Sequence, residues 1–134
     1  MRVSRFNPPT LHQPDGYSHV TISSEGRLAH LAGQCPIDLD NKVVGQPGDY
    51  AAQTDQVIVN CLAALAAAGA TPADVVRSIV YVASTSSDDL VDVWRRLQGS
   101  DLGPAFTTAS TLLGVTVLGY AGQLVEVDLT AALP

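Results

Sequence analysis

The sequence predicts an α+β fold in which two helices pack on one face of a mixed sheet. Three observations predict it. Residues 49–69 and 84–99 carry apolar side chains at helical spacing, and an apolar run from 75 to 83 separates them. Residues 103–130 read as two further strands, 106–113 and 124–130, joined by the turn chemistry of Gly119-Tyr120-Ala121-Gly122. The resulting order, β-β-(β)-α-β-α-β-β, leaves the second sheet face without a helix to cover it.

Residues 1–16, with Asn7-Pro8-Pro9 and His12-Gln13-Pro14-Asp15-Gly16, read as an irregular arm. A strand over 17–22 then turns through Ser23-Ser24-Glu25-Gly26 into a second strand over 28–33. In that hairpin His19 and His30 would be cross-strand neighbours. Gly33 ends the strand, where it permits either positive φ or the close approach of a ligand or another chain. Asp38-Leu39-Asp40-Asn41-Lys42 is a polar turn before a short strand at Val43-Val44. It lacks the in-register Gly and closing Glu of a calcium loop.

Asp49 can cap a helix that runs to Gly69, with Thr54, Val57, Ile58, Cys61, Leu62 and Leu65 as its buried stripe. Thr71-Pro72-Ala73-Asp74 is a short helical turn. The run from 75 to 83 is apolar on both faces, the pattern of a central strand covered on both sides. A second helix buries Leu90, Val93, Trp94 and Leu97 and stops at Gly99. The last strand alternates, Val125, Val127 and Leu129 against Leu124, Glu126, Asp128 and Thr130. Alternation puts Glu126 on a sheet face. It either meets water there or lines a pocket, and spacing alone favours water.

At 134 residues the chain makes one domain, residues 1–134, able to bury about two-thirds of its unfolded surface. No basic leader or bilayer-length apolar run is read in the sequence, so no membrane partner is expected. Cys35 and Cys61 have no CxxC spacing and read as free thiols of a reducing cytoplasm. Net charge is −6, which opposes nucleic-acid binding. Only 15% of residues are charged while 46% are hydrophobic, so part of the surface calls for a second copy of the chain.

Glycine-rich nucleotide motifs and the nucleophile elbow are absent. His12, His19 and His30 show no metal-site spacing, so no metal or cofactor is expected, and each reads as a satisfied sheet histidine. What remains is Tyr17, Gly33, the 104–108 stretch and Glu126.

Around these four places the chain resembles the RidA/YjgF (L-PSP) family. The matching pieces are Gly16-Tyr17-Ser18, Ala32-Gly33-Gln34-Cys35-Pro36, Ala51-Ala52-Gln53, Ala67-Ala68-Gly69-Ala70, Val80-Tyr81-Val82, Gly103-Pro104-Ala105 and 124–128. The resemblance implies a chorismate-mutase-like α+β fold and a homotrimer with a small-molecule cleft at each subunit interface. It also implies a deaminase-like, cofactor-free hydrolysis of reactive enamines and imines. Carried over by position, Glu126 and Tyr17 would be catalytic, while Gly33, Phe106 and Thr108 would contact the ligand. Family members have an Arg where this chain has Phe106, and that guanidinium holds the substrate carboxylate by paired charge-assisted bonds. The chain is therefore expected to be a divergent member, acting as hydrolase or tautomerase on a small reactive metabolite other than an imino acid. A non-catalytic ligand-binding trimer is the alternative. An endoribonuclease or translation inhibitor is the reading that charge favours least.

Overall fold

A computed structural model describes residues 2–24 and 26–134. The described elements are β1 (Val3–Phe6), β2 (Val20–Ser23), β3 (Leu28–His30), α1 (Tyr50–Ala68), β4 (Val75–Ala83), α2 (Ser87–Gln98), β5 (Ala109–Val115) and β6 (Val125–Ala132). Short 3-10 turns, Pro72–Asp74 and Gly103–Phe106, precede β4 and β5. Strands β3-β6-β4-β5 form a mixed sheet in which β4 runs antiparallel to β6 and parallel to β5. Two helices packed on a mixed sheet are the α+β arrangement expected.

Both helices end as the sequence indicates. The Asp49 side chain accepts from the backbone of Ala52 at 2.9 Å, and Gly69 takes φ 82°. Val57, Ile58, Cys61 and Leu65 of α1 join Val93 and Leu97 of α2 over Val80, Val82, Val125, Val127 and Leu129 of the sheet. Burying one such side chain contributes about 1.5–3 kcal/mol. Gln53 of α1, also buried, reaches across to the sheet: its amide donates to Gly122 O and accepts from Leu124 N.

Four expectations need correction. β2 pairs with β1, and β3 pairs with β6, so the anticipated β2–β3 hairpin is not formed; Glu25 of its turn lies outside the described residues. His19 and His30 are consequently not cross-strand neighbours, and His12 and His19 lie in the loop before β2. Residues Val3–Phe6, read as part of an irregular arm, are a strand because distant groups hold them. Arg2 pairs with Asp74, and Arg5 donates to the carbonyls of Ala73 and Val75. The strand expected from 106 starts instead at Ala109, since 103–106 coils into a 3-10 turn started by Pro104.

β4 is central, but it is not covered on both sides within this chain. Ser78, Val80 and Val82 face the helices and are buried, whereas Ile79 and Tyr81 are only half-buried. The helix-free face continues through Leu113, Glu126, Asp128 and Thr130.

Candidate active site

Glu126 lies on this helix-free face, in one cross-strand row with Tyr81 of β4 and Leu113 of β5. Its neighbours arrive from a bulge. His30 pairs with Thr130 and Gln34 with Val127, so the β3 side has one residue more than β6 between the two pairings. The extra length folds Gly33 against Glu126. A Cβ on Gly33 would stand 2.9 Å from Glu126 Cδ, closer than such atoms pack, and a tight 3.3 Å from Cγ. Glycine is present here to make room for the carboxylate.

Two side chains bind that carboxylate. The Cys35 thiol donates to Glu126 Oε1 at 3.2 Å, and the Gln123 amide donates to the same oxygen at 3.1 Å. Gln123 is 3% exposed and is itself fixed, donating to Val125 O and accepting from Tyr120 N. Neither residue was among those expected at the site. Cys35 read as a buried thiol, and Gln123 carries no motif. A Gln three residues before a strand-borne acid was the one available signal.

Burial pushes the Cys35 thiol up to about 11 from an ordinary 9.0, with the hydrogen bond and charge of Glu126 adding to it. Burial alone pushes Cys61 up to about 12. Both thiols are held protonated by the fold. Their contribution to stability is therefore fully present below pH 9 and is lost as pH rises through about 11 and 12. Alkylation of Cys35 by iodoacetamide at neutral pH should run about a hundredfold slower than in the unfolded chain. Equal rates in folded and unfolded protein would contradict this environment.

The other expected site residues lie elsewhere. Tyr17 borders a hollow of about 390 Å³ beside the β5 edge, with Asp15, Trp94, Ser110, Thr111 and Leu112. Its hydroxyl is 2.9 Å from His12 Nε2, and the His19 ring stands edge-on to it at 5.7 Å. Phe106 is fully buried in the core, its ring edge-to-face with Trp94 at 5.6 Å, beneath a second hollow bounded by Gly16, Gln98 and Pro104. Thr108 is also fully buried and ties β2 to β4, with Oγ1 2.5 Å from Thr21 Oγ1 and 2.9 Å from Val76 O. Gly33 and Glu126 thus meet. Tyr17 shares no hydrogen bond, ring contact or hollow with Glu126 among the described residues.

The chain from residue 10 to residue 133 matches the profile of the Endoribonuclease L-PSP family. It belongs to that family. Solved structures agree with the assignment. The Rid-family protein YyfB of Yersinia pestis is 36% identical, with 99% of this chain and 100% of that one covered, at a TM-score of 0.86. Rv2704 of Mycobacterium tuberculosis, of the YjgF/YER057c/UK114 family, is 27% identical over 98% of this chain and 99% of its own, at 0.58. YyfA of Yersinia pestis is 27% identical over the same shares, at 0.61. A search of curated proteins finds no match. The resemblance read from the sequence is borne out as family and as fold.

Charge around the Tyr17 hollow and around Glu126 is negative or neutral. Among the described residues, Asp15 is the only charged one lining the Tyr17 hollow, and no cation bonds to Glu126. Arg77 shares the sheet face but sits four residues along β4 from Tyr81 and donates to Thr111. No group of three or more His, Cys, Asp or Glu able to hold a metal occurs among the described residues. No helix among them is long and apolar enough to cross a membrane.

Proposed function

We propose that this L-PSP family member is a cofactor-free, deaminase-like hydrolase (or tautomerase) acting on small, uncharged electrophiles such as imines and enamines. It works as one cytoplasmic domain in a homotrimer whose clefts lie between protomers. The observation that carries the proposal is Glu126, a carboxylate fixed on a sheet face that no helix covers, with the Gly33 backbone cleared beside it. Such a group suits general acid–base work. For an imine, Glu126 takes a proton from water as the water oxygen bonds to the C=N carbon. Glu126 returns that proton to the nitrogen, the hydroxyl proton follows through the freed carboxylate as the C–N bond breaks, and ammonia leaves a carbonyl product.

Tyr17, on the other side of the protomer's sheet edge, supplies the substrate's second hydrogen-bond partner from a neighbouring copy. The hollow it borders, with Trp94, Ser110 and Thr111, offers ring faces and hydroxyls. Phe106 packs against Trp94 of that hollow and brings no guanidinium to hold a carboxylate. A ligand-binding trimer without turnover is the second reading, favoured by the Tyr17 hollow, whose one carboxylate, Asp15, is exposed. Net charge of −6 opposes an endoribonuclease role.

Glu126→Gln separates the two main readings. With an imine generated from a primary amine by an amine oxidase, ammonia release should fall at least about a hundredfold in the variant. Ligand-induced shifts in melting temperature should persist. Undiminished turnover would exclude Glu126 as the acid–base group. Sedimentation should show trimers at micromolar concentration, and monomers there would remove the interfacial cleft.

A further inference from the structure

Glu126 is bound lopsidedly. Oε1 accepts from Cys35 Sγ at 3.2 Å and from Gln123 Nε2 at 3.1 Å, while Oε2 accepts no hydrogen bond among the described residues. Oε2 is the oxygen turned to the position a Gly33 side chain would fill. It is also absent from the buried side-chain atoms that lack a partner, so it keeps contact with solvent. A carboxylate free to rotate would present its two oxygens interchangeably. Two donors on one oxygen and a backbone gap at the other remove that equivalence.

We propose that Cys35 and Gln123 are positioning residues that lock Glu126 through Oε1, making Oε2 the oxygen that receives and returns the proton. This rests on the catalytic role proposed for Glu126. Gln123 suits the task because the backbone groups of Tyr120 and Val125 already fix its amide. Cys35 suits it because the fold keeps its sulfur protonated, so it remains a donor to the carboxylate. An Asn60 side chain holds the Cys35 and Ile37 carbonyls at 2.8 and 2.9 Å, which anchors the thiol-bearing loop to α1.

The test uses a signature that packing alone would not move. The protein has two thiols, Cys35 and Cys61, so its infrared S–H region holds two bands, which Cys35→Ala assigns. The Cys35 band should lie lower in frequency than that of Cys61 and move up in Glu126→Ala. On the imine substrate, Cys35→Ala and Gln123→Met should each lower kcat about tenfold with KM nearly unchanged. Cys35→Ser, which restores a donor, should recover most of the loss. A Cys35 band indifferent to Glu126→Ala overturns the positioning role whatever the kinetics show. Undiminished kcat in both Cys35→Ala and Gln123→Met overturns it as well. A band that moves while Glu126→Gln keeps full turnover instead defeats the catalytic role on which the inference stands, so the two failures are distinguishable.

Discussion

Gly33→Ala should reduce turnover about a hundredfold or more and destabilise the protein by about 1–3 kcal/mol, the worth of the two hydrogen bonds a displaced Glu126 gives up. The cause is one atom. The new Cβ would sit 2.9 Å from Glu126 Cδ, and closer still to Oε2, so the carboxylate must leave its place. Gly33 does not have positive φ, so alanine brings no backbone strain to confuse the result. The specific check is a double-mutant cycle by urea unfolding. In a Glu126→Ala background the Gly33→Ala penalty should nearly vanish, because the colliding atoms are gone. An unchanged penalty there would mean that Gly33 serves something other than Glu126.

Phe106→Arg should unfold or severely destabilise the chain rather than create an imino-acid deaminase. Phe106 is fully buried and packs edge-to-face against Trp94 at 5.6 Å. Removing such a ring costs about 3–5 kcal/mol, and burying a guanidinium without a partner costs more. Against a total stability of about 5–15 kcal/mol, that is a large part of the whole. Loss of the folded baseline in circular dichroism is the expected result. A stable variant would show that residue 106 can turn its side chain out of the core into the neighbouring hollow. For the unmodified protein, imines that carry a carboxylate should be poor substrates by roughly thirtyfold to several-thousandfold, since about 2–5 kcal/mol of paired anchoring is missing. Comparing imines made from an amino acid and from the matching amine measures this directly. Equal rates would require a cation near the cleft, and Arg77, on the same sheet face as Glu126, would become the candidate.

Much of this fold is local chemistry, and local chemistry is legible. Asp49 and Gly69 delimit α1 because a carboxylate caps backbone donors and a glycine accepts φ 82°. The alternation of β6 fixes which side chains face the helices, and so placed Glu126 on a sheet face. Spacing left open whether that face was solvated or a site; the neighbours of Glu126 come from chain segments far from it in sequence. Cys35 is 91 residues from Glu126, and their meeting depends on one extra residue in the β3–β6 pairing. β1 is held by arginine contacts to residues about seventy positions away, which four residues of strand could not announce. The direction of Phe106 depends on the 3-10 turn at 103–106, where a shift in backbone conformation moves a side chain from cleft to core.

The central claim is that one cleft draws Glu126 and Tyr17 from different protomers. Subunit complementation tests it most directly. Glu126→Gln and Tyr17→Phe chains, each impaired alone, are unfolded together, refolded and assayed for ammonia release from an amine-derived imine. Random mixing places an intact Glu126 opposite an intact Tyr17 in roughly a quarter of the clefts of a cyclic trimer, so about a quarter of the unmodified activity should return. Activity no higher than the mean of the two separate variants would contradict a site shared between protomers.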